Sequence, residues 1–221
     1  MSTVPVATPG PPSLHQALEH PHRAALAALQ DPSAHSLVAV TWCATHLAAV
    51  ARVLHPAARR VLPHGRARLR VVMEADRQLQ RALWRLDRRL TGDVHVSGRV
   101  VAELEDDVAR ALLAHARRES ALVDELTGHL SQDEQAGLGV RLAQAVRRAP
   151  TRPHPDAPVS GPAAALAFRV EAGADHLRDL FDNRPQPSPH DVLAPVVPGR
   201  WGSYLLGAPF PPPQTEATRS G

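Results

Sequence analysis

The stretch LRVVMEADRQLQRALWRLDRRL, residues 69–90, decides the fold. Leu69, Val72, Asp76, Leu79, Leu83, Leu86 and Leu90 recur at alternating steps of three and four. That spacing puts all seven on one side of an α-helix, and its seven-residue period is the pattern that buries a seam against neighbouring helices. One member is out of place chemically, because Asp76 stands where a leucine belongs. A carboxylate in hydrocarbon is costly unless it is paired or coordinated, so Asp76 needs a partner on a facing element.

The next segment supplies candidates. Val101, Leu104, Val108, Ala111, His115, Glu119, Leu122 and Leu126 form a second stripe, with His115 and Glu119 one turn apart on its apolar side. Upstream, Ala39, Trp42, His46, Val50, Val53 and Ala57 form a third, with His46 as its polar member. Leu14, Leu18, His22, Leu26 and Leu29 form a fourth, broken by His22. Four successive helices thus each carry an imidazole or carboxylate where an aliphatic side chain is expected. Imidazole and carboxylate converging from facing helices is how helical cores hold iron or manganese. Each member has a plainer reading beside this one. Thirteen histidines in 221 residues put some on apolar faces by chance, His115 and Glu119 can pair on a helix surface, and Asp76 can meet an arginine. The joint occurrence on four helices carries the argument.

Proline, glycine and capping residues set the boundaries. A Pro- and Thr-rich leader covers residues 1–12, and Ser13 can cap a first helix to about Gln30, kinked or restarted at Pro21. Asp31-Pro32-Ser33 ends it and opens a second helix to about Leu62, with a second kink expected at Pro56. Pro63-His64-Gly65 is a turn, and the third helix runs from about Arg66 to Leu90. The fourth starts after Ser97-Gly98 and reaches about Leu130. Ser131 with Glu134 has the form of a capping box for a fifth helix to about Ala149. A Pro-rich linker, residues 150–162, precedes a last helix to about Asn183, and residues 184–221 form an extended Pro-rich tail. The organisation expected is a leader (1–12), one helical domain (13–183) and a tail (184–221).

Composition agrees with an all-α chain, since Ala, Leu and Arg are strong helix formers. Every one of the 25 basic residues is arginine, and isoleucine is absent, a bias that fits a GC-rich bacterial genome. A net charge of +3 is too small for a nucleic-acid footprint. The arginines at 59, 60, 66, 68 and 70 read as a solvated end of the helices, and Trp201, Tyr204 and Phe210 as anchors docking the tail. The single cysteine, Cys43, excludes an intramolecular disulfide and fits a reducing compartment. No secretory leader and no run of 18 apolar residues is evident, so a cytoplasmic protein without membrane or nucleic-acid partners is expected. No nucleophile elbow, phosphate loop or CxxC pair is present, and no enzymatic chemistry is expected from motifs.

The segment HARRESALVDEL, residues 115–126, resembles the HxxxE segment of the hemerythrin-like (HHE cation-binding) family. HLAAVARVLHP, residues 46–56, is similar to the equivalent segment of that family's first half, and residues 149–155 with 175–179 are similar to its C-terminal extensions in GC-rich bacteria. The resemblance covers roughly residues 13–183. It implies an up-down-up-down four-helix bundle with two additional C-terminal helices. It also implies a non-haem iron centre, mono- or dinuclear, with His22, His46, Asp76, His115 and Glu119 as ligands. A small ligand such as O2, NO or peroxide, or simple iron buffering, follows from such a centre. The family's second-helix glutamate corresponds to Val50 here, Asp76 replaces a third-helix histidine, and the acid expected after Glu119 is Ser120. A metal-free structural or regulatory bundle is therefore the alternative.

Overall fold

Two helix starts follow directly from their own residues. Ser13 Oγ accepts from the Gln16 backbone N–H at 3.2 Å while Gln16 Oε1 accepts from the Ser13 N–H at 3.0 Å. Ser131 and Glu134 exchange the same pair, with Glu134 Oε2 accepting from the Ser131 N–H at 2.8 Å. Each reciprocal pair satisfies donors that a helix N-terminus otherwise leaves open. The computed structural model describes residues 13–31, 36–92, 100–154, 170 and 172–175. It is helical throughout, with no strand among the described residues. The helices are α1 (Leu14–Gln30), α2 (Ser36–Val61), α3 (Gly65–Leu90), α4 (Val101–Thr127) and α5 (Gln132–Val146). The expected leader, the tail and most of the expected last helix lie outside the described residues. Val170 and residues 172–175 are helical.

Contacts run round a ring, from α1 to α2, α2 to α3, α3 to α4 and α4 back to α1, while α5 lies against α1 and α2. The core divides into two apolar halves. One takes Leu14 and Leu18 of α1, Val50 and Leu54 of α2, Leu69 and Val72 of α3, and Leu122 and Leu126 of α4. The other takes Ala25 and Ala28, Val40 and Trp42, Leu79 and Leu83, and Leu104 and Val108 from the same four helices. Residue numbers rise from the first half to the second in α1 and α3 and fall in α2 and α4, so chain direction alternates round the ring. The arrangement is consistent with a four-helix bundle carrying further helical segments.

Several local expectations are revised by packing. α1 runs unbroken through Pro21 rather than restarting there, and α2 is one helix with Pro56 inside it, as expected. Beyond His22 the core face of α1 is Ala24, Ala25 and Ala28, with Leu26 and Leu29 only half-buried. These alanines pack in one apolar cluster with Ala39, Val40, Trp42 and Leu47 of α2, a role a count of leucines does not reveal. α2 also holds an 18-residue window of mean hydropathy 1.6, long and apolar enough to cross a membrane, although no such run is evident by eye. Two thirds of that window (67%) is buried in the protein, because α2 touches α1, α3, α4 and α5 and turns apolar side chains to all of them.

The α2–α3 turn is tight. His64 adopts the left-handed conformation (φ 55°), and Gly65 then starts α3 against the α2 backbone. Beyond α5, the fully buried Asp175 accepts from the Arg152 backbone N–H at 2.9 Å and meets His154 Nε2 at 3.0 Å. This joins residues 151–154 to the helical residues near 175.

Candidate metal centre

The residues that interrupt the four stripes meet in one layer between the two apolar halves. On α1, His22 falls between Leu18 and Ala25; on α2, His46 between Trp42 and Val50. On α3, Asp76 falls between Val72 and Leu79. On α4, His115 and Glu119 lie between Leu112 and Leu122. Because helix direction alternates, the same height in the ring is reached from opposite ends of neighbouring helices.

His22, His46, His115 and Glu119 are buried, and one ligand atom from each lies within 4.8 Å of all the others. His22 Nε2 and His46 Nε2 are 2.9 Å apart, and His46 Nε2 and His115 Nε2 are 3.4 Å apart. Glu119 Oε2 is 3.4 Å from His22 Nε2 and 3.2 Å from His46 Nε2, and Glu119 Oε1 is 3.6 Å from His115 Nε2. The Glu119 carboxylate thus faces all three imidazoles, closest to His46. Ligand atoms held about 2.0–2.2 Å from one ion sit roughly 2.8–3.6 Å from one another. The separations therefore suit four donors around one point, and the set can hold a metal ion.

Asp76, the remaining residue expected in the ligand set, sits outside this group of four. Its Oδ1 accepts from His115 Nδ1 at 2.9 Å, which leaves Nε2 of that ring facing Glu119. Asp76 Oδ2 is 3.3 Å from Nε2 of His55, a buried α2 residue. Sequence reading did not single out His55. It lies nine residues beyond His46, about two and a half helical turns, on the side of α2 that faces α3. A stripe through His46 cannot contain it; only the demand of Asp76 for a partner pointed toward such a residue. Of the three histidines on α1, His22 alone faces the centre. His15 meets the exposed Asp124 at 2.9 Å, and His20 packs edge-on against Trp42.

The protonation states suit a cation. Burial, then the neighbouring His46, lowers the His22 pKa to about 3, so its ring is neutral near pH 7 with a lone pair available. Burial works against ionised Glu119, but the facing imidazoles, His46 foremost, outweigh it and hold the carboxyl down at about 2. Burial also opposes the His115 cation; the hydrogen bond to Asp76 and the charges of Glu119 and Asp76 prevail and raise its pKa. The layer therefore offers an ionised Glu119 carboxylate beside a neutral His22 ring. A divalent ion there would be faced by the Glu119 carboxylate and by ring nitrogens of His22, His46 and His115, displacing any proton those nitrogens held.

The centre is enclosed on most sides. His46, His115 and Glu119 are 1% exposed or less, whereas His22 retains 8%. A cleft of about 290 Å³ between α1 and α4 reaches His22 and Glu119, walled by Leu18, Ala116 and Val123. Cys43 takes no part; burial pushes its thiol up to about 12, which keeps it protonated.

No protein-family model, no curated protein and no solved structure matches the chain.

Proposed function

We propose that this protein is a hemerythrin-like, non-haem metal protein: an up-down-up-down four-helix bundle whose polar layer holds one divalent iron through His22, His46, His115 and Glu119. The convergence of these four ligand atoms within 4.8 Å, from three helices and between two apolar halves, carries the reading. The placement of Glu119 supports it, since its buried carboxylate faces nitrogens of His22, His46 and His115 at 3.2–3.6 Å, a donor set a cation can share. Imidazole with carboxylate suits iron and its first-row neighbours better than calcium or magnesium. One ion is favoured over two, because Val50, fully buried, stands where the resemblance places a second-helix carboxylate.

Iron held by four protein donors has room for an exogenous ligand, and bound there it would supply reversible coordination of a small molecule such as O2, NO or peroxide. The chain's own residues fix the terms of access. Asp76 orients His115, the apolar halves keep the layer dry, and the α1–α4 cleft is the open side. Sensing, carriage or iron buffering all use this arrangement.

A specific observation favours a second reading, a metal-free polar network. His22 meets His46, and His115 meets Asp76, at hydrogen-bonding distance, so these side chains can satisfy one another directly. The deciding experiment is elemental mass spectrometry, beside an ultraviolet-visible spectrum, on protein made without a chelating tag. His115→Ala and Glu119→Ala are run in parallel. Near-stoichiometric iron lost in both variants is the expected result. Folded wild-type protein that stays metal-free after anaerobic loading with Fe(II) would sink the metal reading and leave the network.

A further inference from the structure

The cleft above the polar layer is too large for a diatomic gas. Its 290 Å³ corresponds to roughly ten close-packed water volumes, room for an organic molecule of about that many non-hydrogen atoms. Its walls and mouth differ in chemistry. Leu18 from α1, with Ala116 and Val123 from α4, gives an apolar interior ending on His22 and Glu119. At the mouth stand Arg23 of α1 and Arg117 of α4, both exposed, with Glu19 and Ser120 beside them. Among the described residues neither guanidinium is ion-paired, whereas His15 at the same mouth is engaged by Asp124. With Asp124 taken up by His15, the two guanidiniums and Glu19 are the remaining charged groups at the entrance.

We propose that this cleft binds a medium-chain organic monocarboxylate, its carboxylate between Arg23 and Arg117 and its apolar chain against Leu18, Ala116 and Val123. The orientation follows from polarity. The apolar walls of Leu18, Ala116 and Val123 suit the chain, while the fork-shaped donors of arginine suit a carboxylate at the mouth. A chain lying inward covers the exposed edge of His22 and closes the open side of the layer. Binding rests on the cleft's own residues and not on a bound metal, so it persists in metal-free protein.

The test titrates octanoate, which has about ten non-hydrogen atoms, into metal-free and iron-loaded full-length protein by calorimetry. The expected result is one site with a dissociation constant on the order of 0.1–1 mM in the metal-free form. Arg23→Gln and Arg117→Gln should each weaken it about tenfold or more. Octan-1-ol should bind at least tenfold more weakly than octanoate, for want of a charge. Ala116→Phe, at a half-buried wall position, should abolish binding while its circular dichroism and melting curve stay those of wild type. No saturable binding to folded wild type overturns the proposal, as does binding unchanged by both arginine variants. Octanoate binding to a protein that never takes up metal would uphold the cleft and remove the iron, so the two readings fail separately.

Discussion

Asp76 Oδ1 accepts a hydrogen bond from His115 Nδ1 at 2.9 Å, and this contact between α3 and α4 sets which nitrogen of that ring faces Glu119. A ligating imidazole whose far nitrogen donates to a carboxylate is fixed in tautomer and orientation and is a stronger donor. Asp76→Asn keeps an acceptor oxygen and the volume of the side chain but removes the charge. Divalent-metal affinity is expected to fall about 10–100-fold with little change in helicity, read by competition with a chromophoric chelator. An unchanged affinity would show that Asp76 serves packing alone.

Metal binding and folding are coupled, because the four donors lie on three helices separated in sequence and are gathered only in the folded chain. At an ion concentration a hundred times the dissociation constant the folded state gains about 2.7 kcal/mol. For a domain of this size that raises the melting temperature by roughly 5–10 °C. Glu119→Gln, which removes the one carboxylate in the set, is expected to melt at the same temperature with and without the ion. An equal rise in the variant would place the ion elsewhere.

The helices were legible in the sequence because the apolar spacing on α3 and α4 is regular and the capping boxes at Ser13 and Ser131 are local. The polar layer was legible for the same reason, since His22, His46, His115 and Glu119 each break a stripe. What periodicity could not give was the depth of each residue from the centre. Asp76 occupies a stripe position as regular as that of His115, yet it stands behind that ring. His55 belongs to no stripe and is brought in by the turn of α2 toward α3. The cleft was equally hidden, because it depends on how far α1 and α4 stand apart at Leu18 and Ala116, a tertiary distance no spacing encodes.

Acid should destabilise the metal-free protein before alkali does. The His22 pKa is about 3 in the folded chain against an ordinary 6.5. Between those values the unfolded chain binds a proton that the folded chain refuses, and stability falls as the pH drops. His55, lowered chiefly by burial, acts in the same sense. Glu119, held at about 2 against 4.5, adds a further loss below 4.5. His115 acts oppositely: its raised pKa contributes stability that is complete below 6.5 and disappears as the pH rises through the folded value. Stability should therefore peak near pH 6.5, with roughly 3–5 kcal/mol lost toward pH 3 on account of His22 alone. Urea midpoints across the acid range give the curve, and His22→Gln should flatten its acid side. A midpoint that holds steady down to pH 4 in wild type would contradict the buried neutral ring.

Gly65 tests the tight junction that places Asp76 opposite α2 and α4. A Cβ added there would lie 2.5 Å from the Ala58 carbonyl oxygen and 2.9 Å from Arg59 Cα, both backbone atoms of α2 that cannot rotate aside. Gly65→Ala gains helix propensity worth up to about 1 kcal/mol, but the clash forces α3 away from α2 at its first turn. Overpacking of this kind costs about 1–3 kcal/mol, so the variant is expected to be less stable than wild type despite the better helix former. Because Asp76 lies three turns along α3 from the junction, about 16 Å, most of the displacement should be absorbed before the polar layer. Chemical denaturation should thus show a lower midpoint, while metal binding stays within about threefold of wild type. A variant at least as stable as wild type would mean that the α2–α3 turn relaxes freely. A large loss of metal affinity with little loss of stability would mean that the register of α3 is set at Gly65 and carried rigidly to Asp76.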